Sequence, residues 1–116
     1  MPANKVWNLP PNQTAAQLMR LHETIVAAYA MVPELGIYRE SQLINLFPSD
    51  QMMYGLGTDI LVEVTGLFQK LERTREVRER LAETLGRDIR QLYPDARVRV
   101  LIAKFDPEED VFWATS

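Results

Sequence analysis

The spacing of apolar residues predicts two amphipathic helices, each placed between two strand-like segments. Apolar side chains recur at three- and four-residue steps after Asn12, a predicted N-cap, and again from Thr74 to Tyr93. The first helix should end near Val32, because the residue before Pro33 is disfavoured in the helical region. The two stripes are Leu18, Leu21, Ile25, Tyr29 and Val32, then Val77, Leu81, Leu85, Ile89 and Leu92. One face of each helix is therefore expected to pack on a core.

Short segments rich in β-branched and aromatic residues predict strands before and after each helix. They are Val6–Leu9, Gln42–Phe47, Asp59–Val64 and Arg97–Phe105, with Val111–Trp113 as a short additional strand near the end. An irregular passage over residues 49–57 is predicted to be a loop that packs on or caps something. The order of elements gives two βαβ units. It predicts an α+β fold with both helices on one face of a four-stranded sheet.

The opposite face of that sheet would stay uncovered in a monomer. Ile60–Val64 and Leu101–Ala103 are too apolar to be left in water, so the sequence predicts an oligomer that buries this face. Glu63 is the one charged residue within the apolar segment Ile60–Val64. If it is buried there, its carboxylate needs a partner. It has two interpretations: it pairs with Arg99 on a neighbouring strand, or it faces a central channel of the oligomer. His22, beside the first apolar stripe, is predicted to lie at the boundary of the core.

At 116 residues the chain is predicted to be a single domain, residues 1–116. It has no cysteine, which excludes a disulfide framework, a thiolate nucleophile and a cysteine zinc site, and its single histidine excludes a histidine metal cluster. A formal net charge of -3 favours neither nucleic acid nor an anionic membrane as a partner. We therefore expect a cytoplasmic protein without a spanning segment, a secretory signal, a metal or a cofactor.

Several short landmarks occur in a fixed order along the chain. They are Met1-Pro2 before the first strand, Asn8-Leu9-Pro10 at its end, Phe47-Pro48-Ser49-Asp50-Gln51-Met52 after the second, Val64-Thr65-Gly66 at the end of the third, Pro94-Asp95 before the fourth, and Val111-Phe112-Trp113 near the end. In this order they resemble the tautomerase superfamily, and within it the longer members related to macrophage migration inhibitory factor. The resemblance spans nearly the whole chain. It implies a homotrimer of subunits with two βαβ units each, whose sheets face inward and whose active sites lie at subunit boundaries.

The resemblance also implies a function for Pro2. In that superfamily the initiator methionine is removed, and the proline nitrogen is the general base in keto-enol tautomerisation of α-keto acids or related carbonyl compounds. The chain is thus expected to be a tautomerase, an isomerase acting on a small α-keto acid or unsaturated carboxylate. While Met1 is attached, Pro2 is a tertiary amide without a basic nitrogen. Once free, an amine in a partly apolar pocket or near cations has a lowered pKa, which suits a base that works near neutral pH.

Three cations are implied as binders of the substrate carboxylate. Arg39 lies near the place where related proteins carry a pocket lysine. Lys70 and Arg73 occupy the turn after the third strand, where some dehalogenase relatives place paired arginines on the substrate carboxylate. The simpler interpretation of each is a solvated loop cation.

Three further substrate-binding positions follow from the resemblance. Thr65, before Gly66, matches the residue whose backbone amide contacts ligand. Trp113 matches an aromatic wall of the pocket. Arg99 falls close to a position that contributes across the subunit boundary, although a shift of two residues in register puts Leu101 there instead.

Two other functions are compatible with the same sequence. A non-catalytic trimer of this fold, serving as a binding or regulatory module, is favoured by Ala3-Asn4-Lys5, which is more polar than the apolar strand at the usual family start. Lys5 either helps to lower the pKa of Pro2 or faces water. A small α/β adaptor would instead use the charged second helix to bind another protein, and it predicts a monomer.

Overall fold

The computed structural model describes residues 1–48 and 54–115, and its architecture is the predicted α+β fold of two βαβ units. The first unit contains β1 (Ala3–Trp7), α1 (Ala15–Ala30) and β2 (Ile44–Leu46), with short 3-10 helices at Pro33–Leu35 and Glu40–Gln42. The second contains β3 (Ile60–Phe68), α2 (Arg75–Leu92) and β4 (Val98–Phe105). Each helix thus connects two parallel strands of one unit.

The four strands form one sheet in the order β2-β1-β3-β4. β1 and β3 join the two units and run antiparallel, with Val6 opposite Val62. The start of β1 therefore lies beside the end of β3, where Ala3 is opposite Thr65. This antiparallel junction brings the first residues of the chain next to the turn that precedes α2.

Both helices cover one face of the sheet, and the core lies between them and the strands. The predicted stripe of α2 is confirmed, since Val77, Leu81, Leu85 and Ile89 are buried. In α1, Leu21, Ile25, Ala28 and Tyr29 are buried. Strand residues alternate in burial along β1 and β3, so every second side chain points to the helices.

The other face of the sheet has no covering layer in the subunit. We call it the uncovered sheet face; it carries Lys5, Trp7, Ile44, Leu46, Leu61, Glu63, Arg99 and Leu101. Ile44, Leu46 and Leu101 are 42%, 43% and 59% exposed. Such an apolar surface is the one predicted from the sequence, and exposed apolar patches of this kind mark interaction sites.

The ends of several elements differ from the predicted ones. Thr14, not Asn12, is the N-cap of α1, and its hydroxyl accepts a hydrogen bond from the Gln17 backbone nitrogen. Asn12 instead takes a left-handed backbone conformation with φ of 65°, which asparagine tolerates better than most residues. β1 begins at Ala3 rather than Val6.

β3 is longer than predicted and contains a register shift. It continues to Phe68 rather than ending at Val64, and its pairing with β4 shifts between Val64 and Leu67. Gly66 sits inside this irregularity with φ of +73°, a conformation in which glycine has no steric penalty. The glycine that was expected to end the strand therefore forms a bulge within it.

The predicted terminal strand at Val111–Trp113 is wrong, because these residues form no ladder and are exposed. Strand-favouring side chains alone do not make a strand without a neighbouring edge to pair with. In the predicted loop, residues 49–53, including Ser49, Asp50, Met52 and Met53, lie outside the described residues, and Tyr54 is exposed. None of the described helices is both long and apolar enough to cross a membrane.

Candidate functional site

Pro2 is buried at the entrance of β1, between β2 and the bulge of β3. Its carbonyl oxygen accepts a hydrogen bond of 2.9 Å from the Ile44 backbone nitrogen. On the other side, a Cβ placed on Gly66 would lie 3.1 Å from the Met1 carbonyl oxygen and 3.8 Å from Pro2 Cα. Two predicted site residues, Pro2 and Thr65, are thus brought together by the pairing of β1 with β3.

Replacing Gly66 by alanine is expected to destabilise the protein by about 1–2 kcal/mol, because a left-handed backbone disfavours a Cβ, and to crowd the Met1 carbonyl. The midpoint of urea unfolding measures this effect. Gly86→Ala is the matched control: Gly86 lies in α2, and its added Cβ would be 3.5 Å from Val100 Cγ2, an ordinary contact. That variant should be slightly more stable than the parent. A Gly66→Ala protein as stable as the parent would contradict the strain at the bulge.

Lys70 and Arg73 direct positive charge at the start of the chain. Burial lowers the pKa of the Met1 amino group, and the charges of Arg73 and Lys70 lower it further. Neither cation forms an ion pair with a carboxylate among residues 1–48 and 54–115. Their field at the N-terminus is therefore not cancelled by a direct partner there.

Arg73 is held in a fixed position by the backbone. Its Nη1 donates to the Phe68 carbonyl and its Nη2 to the Leu35 carbonyl, both at 2.9 Å. Its Nε is buried and has no hydrogen-bond partner in the described part of the chain. Burial lowers the pKa of this guanidinium, which nevertheless stays charged at any ordinary pH. The side chain therefore connects the end of β3 to the segment after α1 while keeping its charge.

An aromatic cluster, Phe68, Phe105 and Phe112, lies at the end of β3, next to Arg73. Phe68 stacks on Phe105 with ring centroids 4.6 Å apart, and Phe112 meets Phe68 edge-on at 5.9 Å. The aromatic wall was predicted at Trp113, which is 80% exposed. Phe68 and Phe105 were not predicted to meet; their contact follows from the register of β3 and β4, which pairs them directly.

Arg99 lies at a distance from Pro2 within one subunit. It pairs with Asp59, with Nε and Nη2 at 3.0 and 2.9 Å from Oδ2. Arg99 is paired with Leu61. Leu61 lies four residues before Thr65, a distance of about 13 Å along β3. Arg99 and Leu101 both lie on the uncovered sheet face. The register of β4 therefore does not decide which of the two would lie at a subunit boundary.

The structure also places Glu63 and Arg39, each of which had two interpretations. Glu63 does not pair with Arg99; it accepts a hydrogen bond of 2.5 Å from Trp7 Nε1, a diagonal neighbour on β1, where Lys5 is directly opposite Glu63. It lies on the uncovered sheet face, as the second interpretation of this residue requires. Arg39 is exposed, and its backbone nitrogen donates to Gln42 Oε1 at 3.0 Å.

A row of polar side chains next to Pro2 was not predicted from the sequence. The polar row is Tyr29, Asn4, Asn45, His22 and Glu40, linked in this order by hydrogen bonds of 2.5, 2.9, 2.9 and 2.9 Å. Tyr29 and Asn4 are fully buried, whereas the Glu40 side chain is exposed. The one available signal was an asparagine at a core-facing position of β1, two residues after Pro2.

Comparison with known proteins identifies the fold. No protein-family model matches the sequence, and no curated protein is significantly similar to it. Among solved structures, a fused 4-OT wild-type asymmetric trimer is 16% identical, with a TM-score of 0.68 over 95% of this chain and 91% of that chain. N1, a member of the cis-3-chloroacrylic acid dehalogenase family, is 9% identical, with a TM-score of 0.70 over 97% of this chain and 81% of that chain.

A third neighbour is malonate semialdehyde decarboxylase, solved as the wild type, as a variant with its first-residue proline changed to alanine, and in inactivated form. It is 15% identical, with a TM-score of 0.60 over 100% of this chain and 92% of that chain. These neighbours are members of the tautomerase superfamily, and this chain has their fold. The superfamily resemblance is thus confirmed at the level of fold, while the narrower one to macrophage migration inhibitory factor stays a prediction.

Proposed function

We propose that this chain is a tautomerase-type isomerase acting on a small α-keto acid or unsaturated carboxylate, with Pro2 as the general base after removal of Met1. The observation that carries this proposal is the position of Pro2, buried just before β1 and next to the Met1 amino group, whose pKa is lowered by burial and by the charges of Arg73 and Lys70. The same surroundings would disfavour the charged form of a free Pro2 nitrogen and so lower its pKa.

The reaction assigns complementary tasks to the proline and the cations. The neutral Pro2 nitrogen takes a proton from the carbon next to the substrate carbonyl, and the electrons of that C–H bond form the enolate. The protonated amine then returns the proton to another atom of the substrate. Lys70 and Arg73 bind the carboxylate, and the backbone at Thr65 and Gly66 offers hydrogen-bond donors beside the same space.

The remaining predicted substrate-binding residues act in this proposal from other parts of the assembly. Arg99 lies on the uncovered sheet face, and we assign it to a boundary with a neighbouring subunit. Trp113 and Arg39 are exposed in the subunit and complete the proposed pocket as aromatic wall and third cation.

The proposal includes a homotrimer in the cytoplasm. Fused 4-OT proteins of the same fold are asymmetric or symmetric trimers. The uncovered sheet face of this chain offers an apolar surface that an inward-facing arrangement of three sheets would bury.

Labelling with 2-oxo-3-pentynoate tests the base, because this compound inactivates Pt0534, a neighbour of the same fold. The nitrogen of a free Pro2 should add to the alkyne carbon remote from the ketone. One N–C bond forms, the triple bond becomes a double bond, and the amine proton moves to the carbon next to the ketone. Intact mass should show loss of Met1 and a gain of one reagent molecule per chain.

Trypsin cleavage after Lys5 localises the label, because it separates Pro2 from Lys70. The saturated analogue 2-oxopentanoate is the control and should leave no adduct. A processed chain that stays unlabelled, or one labelled only at Lys70, would contradict a basic Pro2. A chain that keeps Met1 quantitatively would remove the base altogether.

A further inference from the structure

The polar row runs from the core to the surface and reaches the strand that carries Pro2. Asn4 is its central member: its Oδ1 accepts from the Tyr29 hydroxyl, and its Nδ2 donates to Asn45 Oδ1 and, at 3.3 Å, to the Ile44 carbonyl. Ile44 in turn donates its backbone N–H to Pro2. The row therefore contacts the two strands whose pairing fixes Pro2.

Every hydrogen bond in the row points in the same direction. The Tyr29 hydroxyl donates to Asn4 Oδ1, so Asn4 Nδ2 faces Asn45 Oδ1, and Asn45 Nδ2 faces His22 Nδ1. His22 Nδ1 must accept, which places the ring proton on Nε2, and Nε2 donates to Glu40. The row is complete only with a neutral His22 in this tautomer.

Protonation of His22 is incompatible with this direction. A proton on Nδ1 would face the amide hydrogens of Asn45, so two donors would meet. Asn45 can accept from His22 only by turning its amide over, and Asn4 then has to turn as well. The Tyr29 hydroxyl would accept from Asn4, and its own proton would stay without a partner in the core.

Charged and titratable groups face His22 from several elements. Glu40, on the 3-10 helix Glu40–Gln42, lies 2.9 Å from His22 Nε2. Glu23 and Tyr38 line the same surface cavity as His22. On the buried side, the polar row leads to Tyr29, near the positive charge of Arg73.

We propose that His22 is a positioning residue for the Pro2 site, whose protonation reverses or breaks the polar row and so loosens the β1–β2 pairing that holds Pro2. The effect on catalysis rests on the proposed function. The coupling between His22 and the row is a property of the folded chain alone, so the two can be tested separately.

The coupling is tested by NMR of the nitrogen-labelled protein during a pH titration. His22 is the single histidine of the chain, so its ring signals are unambiguous. At high pH they should show the Nε2–H tautomer, and the side-chain amide signals of Asn4 and Asn45 should shift with the midpoint of His22. In His22→Gln, whose side chain does not ionise, the amide signals should not change over that range. The Nδ1–H tautomer, or a flat Asn4 signal while His22 titrates, would overturn the proposal.

Tyr29→Phe is a second variant, for which the midpoint of the His22 titration is expected to move in one direction. Without the hydroxyl, the Asn4 amide keeps only the 3.3 Å bond to the Ile44 carbonyl to favour this direction, so reversal of the row costs less and the midpoint of His22 should move to higher pH. A midpoint that stays in place or moves down would contradict a directional row. If this variant does not fold, the His22→Gln comparison decides alone.

The effect of His22 on catalysis is tested with the pH profile of kcat/KM for enol-phenylpyruvate. His22→Gln should remove one ionisation from the acidic limb and leave the plateau within about twofold, whereas a purely structural role would lower the plateau and keep the shape. An unchanged acidic limb would refute the link to Pro2. If the parent shows no turnover, the proposed function fails, and the NMR titration still decides the coupling.

Discussion

Replacing Pro2 by alanine is expected to slow the conversion of enol-phenylpyruvate to its keto form by roughly 100-fold or more, the range contributed by a positioned base. The alanine amine is primary, intrinsically less basic than the ring nitrogen of proline and free to rotate, so it is a weaker base and its lone pair is not held toward the substrate. The decay of enol absorbance measures the rate.

Pro11→Ala is the matched control, because Pro11 is exposed beyond the far end of β1 and should leave the rate unchanged. Both variants should first be checked by intact mass for removal of Met1. Equal rates in the parent and in Pro2→Ala would end the catalytic proposal. The non-catalytic trimer would then be the better description of this chain.

Replacing Leu101 by glutamate is expected to convert the proposed trimer into monomers. Leu101 lies on the uncovered sheet face, 59% exposed in the subunit, and directly opposite Glu63 on β3. Each interface would then bury an unpaired carboxylate next to a like charge, which strongly opposes association. Sedimentation velocity should show a trimer for the parent and a monomer for the variant, with loss of turnover if the pocket needs two subunits.

Met31→Glu provides the comparison for this experiment. Met31 is 71% exposed at the C-terminal end of α1, on the helical side of the subunit, so its replacement should leave the trimer intact. A Leu101→Glu protein that remains a trimer would show that the uncovered sheet face is not the interface. A monomeric parent would favour the adaptor.

The helices were predictable because a helix that buries one face needs apolar residues at steps of three and four positions. This spacing can be recognised in a single sequence. The four buried residues of α2 all belong to its predicted stripe. Helix and strand ends were less predictable, since they depend on competition between neighbours: Asn12 and Thr14 are both good caps, and only the path of the backbone selects Thr14.

The site was predictable only where a resemblance supplied the positions. The start of the chain lies beside the end of β3, and its Met1 amino group in the field of Lys70 and Arg73, because β1 and β3 are antiparallel neighbours, which no local pattern reveals. The Arg73 bond to Leu35 spans 38 positions, and the Asn4 bond to Asn45 spans 41. Partners at such separations are set by the fold and have no signature in the sequence around either residue.

The polar start of β1 has an explanation that is independent of function. Asn4 faces the core, where its amide is fully hydrogen-bonded within the polar row. Lys5 lies on the uncovered sheet face, opposite Glu63. Both polar residues are thus accommodated by the fold, so their presence gives no support to the non-catalytic alternative.

The hydrogen bond between Pro2 and Ile44 sets an order of events for a newly made chain. A peptidase that removes Met1 must draw the first residues into its own cleft, yet Pro2 is buried and bonded once β2 has joined β1. Under the proposed function, removal of Met1 is therefore expected to precede closure of the first βαβ unit. Chains that fold with Met1 still attached should then lack the free amine that the proposed function assigns to Pro2.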